Sequence, residues 1–449
     1  MLAIGFCLAA LVVCFWAGRR SLGQGLVALL TFGYFYGILR ANLITTFSHF
    51  IFDAGLIGLY LSIRWGKVPG SGKSNSETLR LWIIVLIAWP IFLVAMPFQP
   101  LLVSLVGLRG SIFFVPLLLL GSRMKGKDVI EFSTGLALLN LAALGFAAAE
   151  YFLSVQRFFP MSPVTRIMYA SGDVAGGFLR IPAIFSSAAA FGGTMVASLP
   201  FMIGLWSTAQ RPLQRLLGMV SVAAAMMGVL MSATRSNFLY GCAMIIFVLF
   251  SMKLNGKQKM IFALIIGGLA TVALTNVRFQ RFKSLQDTDY VSERIAGSVN
   301  RGFWEIIAEY PMGNGLGGGG TSIPYFLEGQ VRNPIGMENE YARILAEQGI
   351  IGLLLWLGFL GWFFQRGRIA FSPGAWAIPR KLLFCYVAIG FGTAWIGTGL
   401  LTSIPATVML LIAAGFVVMP PEALQSNSAS DRRGFRVQRA PRSQFAVVR

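Results

Sequence analysis

The sequence predicts an all-α, polytopic integral membrane protein, and three observations predict it: the composition, the length of the apolar runs and the placement of positive charge. The 449 residues are 56% hydrophobic and 12% charged. Apolar residues fall in continuous runs of about 17–22, the length that spans a hydrocarbon core of roughly 30 Å. A membrane β-barrel would instead need segments of about 10 residues that alternate in polarity, and the continuous runs exclude it.

Spans are expected near 2–18, 22–39, 43–63, 81–98, 101–120, 129–150, 182–206, 216–233, 236–252, 260–276, 346–364, 382–400 and 402–419. That gives 12–13 transmembrane helices with one large extracytoplasmic loop. The first run has no small-residue cleavage site behind it and is followed by further spans, so it is expected to be a retained helix. The chain divides into an N-terminal bundle (1–276), the loop (277–345), C-terminal membrane helices (346–419) and a basic tail (420–449) expected to be disordered.

Lys and Arg set the orientation, because cytoplasmic connections carry an excess of them. Arg19, Arg20, Arg64, Lys67, Arg123, Lys125, Arg211, Arg215, Lys253, Arg366, Arg368, Arg380 and Lys381 fall in one alternate set of connections, and the tail adds Arg432 to Arg449 on the same side. That side holds 24 of the 37 basic residues and five of the 17 acidic ones. The net charge of +20 is therefore a topology signal, and no nucleic-acid partner is expected. The 277–345 loop is therefore expected outside, facing the periplasm or its equivalent, and the C-terminus in the cytoplasm. Cys7, Cys14, Cys242 and Cys385 sit in apolar runs without metal or CxxC spacing and read as small core residues.

Two glycine-containing stretches fail as phosphate loops. "VPGSGKSNS" has Lys67 where the pattern needs its first glycine, and no strand precedes it. "GNGLGGGG", Gly313 to Gly320, lacks a following Lys-Ser/Thr and taken alone reads as a flexible outer loop. His49, the one histidine, stands four residues before Asp53 in an expected span. The two predict a buried hydrogen-bonded pair, a proton path or a lipid-headgroup contact. No metal site and no cofactor are expected, since a lone histidine without clustered carboxylates supplies too few ligands.

Positive residues on the other side are informative because the charge bias disfavours them. Arg40, Arg157, Arg166, Arg180 and Arg235 lie in short outer connections or at span ends, and Arg109 is deeper. They can pair with lipid phosphates or share one anionic ligand, to which guanidinium offers a planar fork of donors. In the large loop, Ile295, Val299, Phe303, Ile306 and Ile307 recur at helical spacing up to Pro311, which predicts an amphipathic helix on the outer membrane surface. Further on, Asn339 is a helix cap, and Glu340, Arg343 and Glu347 follow at spacings that let Arg343 pair with either carboxylate. Glu338 precedes that helix with no cation nearby in sequence.

"ENEYARILAEQGIIGLLLWL", "YPMGNGLGGG", "SATRSN" and "RIPAIFSSAAAFG" together resemble the motifs of the O-antigen ligase and polymerase superfamily, in the family's order, from about residue 175 to 365. Asn339, Leu345, Glu347, Gly349 and Gly352 match the hallmark of an Asn, a hydrophobic stretch, Glu-x-Gly and the start of a span. The sequence departs from the family where a histidine base is usual, because Glu338 stands there.

The resemblance implies a metal- and nucleotide-independent glycosyltransferase acting on surface polysaccharide. Its donor would be a glycan on undecaprenyl pyrophosphate, and its acceptor a sugar hydroxyl on a glycan or lipid-linked glycan. Membrane lipids and other polysaccharide-assembly proteins are implied as partners. It implies Glu338 as the base, Arg180, Arg235, Arg301 and Arg343 on the pyrophosphate, and Asn339 and Glu347 in support. The alternative is a non-catalytic transporter or lipid-linked-glycan-binding membrane protein, which would depend on His49, Asp53 and Arg109.

Overall fold

The computed structural model describes residues 1–63, 73–170, 178–251, 303–319, 323–336, 339–374, 376–395 and 399–419, with isolated positions between 252 and 275 and at 397. The chain runs through helices α1 (Leu2–Arg20), α2 (Leu22–Tyr34), α3 (Tyr36–Asn42), α4 (Ile51–Ser62), α5 (Lys73–Val94), α6 (Leu101–Ile112), α7 (Leu117–Arg123) and α8 (Gly126–Leu153). It continues with α9 (Arg166–Ala170), α10 (Ala188–Thr208), α11 (Pro212–Met231), α12 (Arg235–Ser251) and α13 (Phe303–Glu309). The last are α14 (Glu340–Gln365), α15 (Gly367–Ala370), α16 (Ala377–Thr393) and α17 (Ala406–Val417).

Among the described residues seven helices are long and apolar enough to cross a membrane, or eight if α2 and α3, bent by 42°, form one span. Several of the 12–13 expected spans are shorter helices. The run at 43–63 is helical only from Ile51, because its first half forms a 3-10 turn at Thr46–Phe50. Helices α12, α16 and α17 are likewise 17, 17 and 12 residues long. The span expected near 260–276 lies largely outside the described residues, as do the tail and most of the "VPGSGKSNS" stretch.

Helix α10 is the axis of the bundle: 89% of its apolar window is buried, against 17% for α1 at the periphery. It packs against α8, α11, α12, α16 and α17. Helices α1, α2 and α4 pack together and join the rest through α2 on α8, while α5 supports α6, α7 and α14. The outward faces are apolar, as Leu8, Val12, Leu81, Ile84 and Phe250 show. That composition suits a hydrocarbon solvent.

Lipid supplies little hydrophobic drive between helices, so packing and interhelical hydrogen bonds carry more of the association. A buried polar string does this here. Tyr34 donates to Asn140 Oδ1 (2.7 Å), Asn140 Nδ2 donates to Ser198 Oγ (2.7 Å), and Ser198 donates to the Met195 carbonyl (2.7 Å), so α2, α8 and α10 are tied in one register.

The helix ends meet in two groups. At one end Gly23 approaches Asp128, Ser21 donates to Glu131 (2.5 Å), and Trp376 packs on Gly204. Arg380 belongs here, but not as the solvated loop charge its sequence context suggests. It is 1% exposed, and its guanidinium caps the carbonyl end of α17 through Val417 (3.1 Å) and Met419. Cations at a helix C-terminus are favourable. At the other end residues 178–187, 303–319, 323–336, 391–395 and Gly399 come together, and this loop-bearing end holds the candidate site.

The polar string yields a measurable coupling. A double-mutant cycle of Tyr34→Phe and Asn140→Leu, followed by unfolding in detergent, is expected to give an interaction energy of about 0.6 kcal/mol, with roughly 1.7 kcal/mol as the upper end for such membrane pairs. Strict additivity would show that the string does not couple the helices.

Candidate functional site

The site is built on the N-terminal half of α14. Asn339 caps the helix as expected, its Oδ1 accepting from the amides of Tyr341 (2.9 Å) and Ala342 (3.2 Å). The Glu340 amide donates to the Ala394 carbonyl (2.8 Å) and the Arg343 amide to the Asn339 carbonyl (3.0 Å). The donors that the helix start leaves open at Glu340, Tyr341 and Ala342 are therefore satisfied, and the Arg343 amide makes the first bond within the helix. The Asn339 Nδ2 is buried with no hydrogen-bond partner among the described residues.

The expected charge stripe is present but sits in the protein interior. Arg343 pairs with Glu340 (Nη2 to Oε1, 2.7 Å; Nε to Oε1, 3.1 Å) and with Glu347 (Nη1 to Oε2, 2.6 Å), and the three side chains are at most 1% exposed. The second Glu340 oxygen accepts from the Gly399 amide (2.7 Å). That contact and the positive end of the helix dipole offset the surplus negative charge. Arg343 was expected on the pyrophosphate. Its guanidinium is instead committed to two carboxylates and enclosed, so it holds the helix start in place.

At Gly349 the helix breaks, with φ 70° and ψ −173°. Gly313–Gly319 of the glycine run form a turn inserted at that break. In an unbroken helix the Ile350 amide would bond the Ala346 carbonyl. Here the Asn314 amide takes the Ala346 carbonyl (2.6 Å), and the Ile350 amide donates to the Pro311 carbonyl (3.0 Å). The freed Gln348 carbonyl accepts from the Trp89 indole (2.9 Å). Gly313 (φ 87°) is required by the same contact, since a Cβ there would lie 2.8 Å from the Gly349 nitrogen. The run expected to be a flexible outer loop is therefore a packed turn. Gln99 secures it further, bridging the carbonyls of Asn314 and Arg332 (2.9 Å each) while accepting from the Arg332 amide (2.8 Å).

Helix α13 ends before Pro311 as expected. Its Phe303 and Ile306 are buried, Phe303 against the Trp395 ring at 5.5 Å. The apolar side of these turns therefore faces the bundle and not a membrane surface, because Trp395 and α14 cover it; Ile295 and Val299 lie outside the described residues.

The structure brings Arg180 against the segment that carries Arg235, although the two are far apart in sequence. Arg180 Nη2 donates to Thr234 Oγ1 (2.6 Å), the residue before Arg235, and its Nε reaches the Ser232 carbonyl (3.4 Å). The segment carrying Arg180 is held by Glu150, a residue the sequence reading missed. Glu150 lies in the last turn of α8, is 1% exposed, and accepts from the amide of Ala183 (2.9 Å), which has φ 53°. A lone carboxylate near a span end was the available signal. Of the other expected site residues, Glu338 and Arg301 lie outside the described residues.

His49 and Asp53 do not form the expected pair. His49 falls in the 3-10 turn before α4, so the helical spacing does not apply. Arg109 takes both Asp53 oxygens instead (2.6 and 2.9 Å). Arg157 and Arg166 are exposed. Among the described residues no three of His, Cys, Asp and Glu come together in a metal-holding group.

The fold defines an all-α, multi-pass membrane protein, and its loop-bearing end carries the buried ion triad and the Arg180 segment. A family model described as O-antigen ligase matches residues 219–357. That match supports the O-antigen ligase and polymerase superfamily, which the motifs resemble, and with it a ligase- or polymerase-like function in general terms. It contains Arg235, Glu338, Asn339, Arg343 and Glu347, while Arg180 precedes it. No curated protein matches the chain.

Two stability effects follow from this geometry. Arg343→Met leaves two buried carboxylates unpaired and is expected to lower unfolding stability by about 3–5 kcal/mol. Gly349→Ala places a Cβ 2.5 Å from the Met312 carbonyl carbon at a positive φ; it is expected to cost at least about 1–3 kcal/mol. Thermal unfolding in detergent measures both, and wild-type stability in either variant would remove the assigned role.

Proposed function

We propose that the protein is a bacterial inner-membrane glycosyltransferase that extends or transfers a surface polysaccharide, with its loop-bearing end in the periplasm. The donor is a glycan on undecaprenyl pyrophosphate and the acceptor is a sugar hydroxyl on a second glycan. The observation that carries this reading is the contact of Arg180 with Thr234, the residue next to Arg235, together with the family match that covers Arg235 and the start of α14.

In this reading Glu338 takes the acceptor hydroxyl proton as the oxygen attacks the anomeric carbon. The bond from that carbon to the pyrophosphate oxygen breaks, and undecaprenyl pyrophosphate leaves as the anion. Arg180 and Arg235 stabilise the charge on the leaving group, with Arg301 reinforcing them from the loop. Asn339 anchors the helix that follows Glu338, and the Glu340–Arg343–Glu347 triad fixes that helix. The pyrophosphate is already an activated leaving group, so positioning, deprotonation and charge stabilisation suffice. Polymerisation is the preferred form, because Glu338 stands where the ligase's histidine is expected.

The test is product formation by purified protein from a lipid-pyrophosphate-linked oligosaccharide, read as glycan length and acceptor attachment. Glu338→Gln is expected to lower the rate by about 10²–10⁴-fold in a still-folded protein. Equal activity would move the base elsewhere, and no product with several donors and acceptors would favour a carrier.

A further inference from the structure

A second polar cluster lies at the same end, outside the machinery above. Helix α3 ends near Arg40, and the chain turns through Thr46–Phe50 into α4. The turn is two-sided. Ile44, Phe47 and Phe50 are 50%, 53% and 37% exposed, whereas His49 is 5% exposed and turned inward. The Tyr36 hydroxyl donates to the His49 carbonyl (3.0 Å), and the Arg40 guanidinium lies 5.0 Å over the Tyr36 ring. From the opposite side the loop residues Tyr325 and Phe326 wall the imidazole, at 6.0 and 5.6 Å between ring centres. Arg40 and Arg109 are both close enough to the imidazole to act on it electrostatically.

Two atoms in this cluster are unexplained by the fold. His49 Nε2 and Arg40 Nε are both buried with no hydrogen-bond partner among the described residues. A buried donor left unmade costs free energy, and native structures leave few of them. Arg109 does not relieve the imbalance, because Asp53 already neutralises it bidentately. The local surplus is one guanidinium, with an imidazole that can donate through Nε2 beside it. These are donors for an oxyanion with several acceptor oxygens. The outward Ile44, Phe47 and Phe50 form an apolar rim, so the anion is reached from a hydrocarbon phase.

We propose that Arg40 and His49 form a binding site for the phosphate of a membrane lipid, with Tyr36, Tyr325 and Phe326 enclosing the headgroup and Ile44, Phe47 and Phe50 facing its acyl or prenyl chain. The site borders the Arg180 segment, since the Ile38 amide donates to the Ile184 carbonyl (3.1 Å). It does not rest on the transferase reading, and its test measures no transfer.

His49 is the chain's one histidine, so a single imidazole resonance reports on the site. Protein carrying ring-¹⁵N histidine and no polyhistidine tag is titrated in neutral detergent with farnesyl phosphate, farnesol and inorganic phosphate. The expected result is a saturable shift with farnesyl phosphate alone. Arg40→Gln is expected to raise its half-saturation by roughly tenfold or more, as for loss of a charged hydrogen bond, and Arg40→Lys by less. No shift, an equal shift with farnesol or an undiminished response in Arg40→Gln overturns the site. An equal shift with inorganic phosphate overturns the lipid assignment. Should Arg40→Gln fail to fold, Arg40→Lys and the farnesyl phosphate to farnesol comparison in the wild type decide.

Discussion

The exchange of hydrogen bonds at Gly349 is the constraint on which the loop-bearing end depends. A helix inside a membrane protein tolerates a break only where its freed backbone groups find new partners. Here the Ala346 carbonyl and the Ile350 amide find theirs on one turn, at Asn314 and Pro311. The break and the turn each satisfy the other. Gln99 and Trp89, from the α5–α6 region, close the arrangement from outside. A loop that would otherwise be solvated backbone thereby becomes part of the wall of the site.

The ion triad sits directly before this break, and its burial follows from the same geometry. Glu347 Oε1 lies against the inserted turn, so close that a Cβ on Gly319 would stand 3.0 Å from it. Removing three charged side chains from water is costly, and an apolar replacement of similar volume is often no less stable. The benefit is therefore better sought in geometry. Arg343 grips one carboxylate a turn before it and one a turn after it, so the first two turns of α14 have one permitted arrangement.

What was legible in the sequence was local. The Asn339 cap and the pairing of Glu340, Arg343 and Glu347 depend on spacing within one helix, and both are found. What was not legible depends on distant partners. Glu150 meets Ala183 and Arg380 meets the end of α17, and neither pairing has a sequence-local mark. His49 and Asp53 do not pair because the apolar run, though long enough for a span, is not helical throughout. The structure starts α4 only at Ile51. The glycine run was misread for a related reason: its composition permits many conformations, and only the broken helix beside it selects one.

The segment from Arg180 to Ser187 connects the two polar clusters, and it does so without regular structure of its own. Its backbone is held by Glu150 at Ala183 and by Ile38 at Ile184, while its arginine reaches Thr234. Helix α3 carries Ile38 and Arg40 two residues apart, so the element that would grip a lipid phosphate is the one that supports the arginine segment. Nearby, Gly37 leaves no room for a side chain, because a Cβ would stand 2.0 Å from the Phe185 carbonyl carbon. Packed backbones at that separation cannot slide independently. A lipid held at Arg40 and a substrate anion held at Arg180 would therefore bear on the same short stretch of chain.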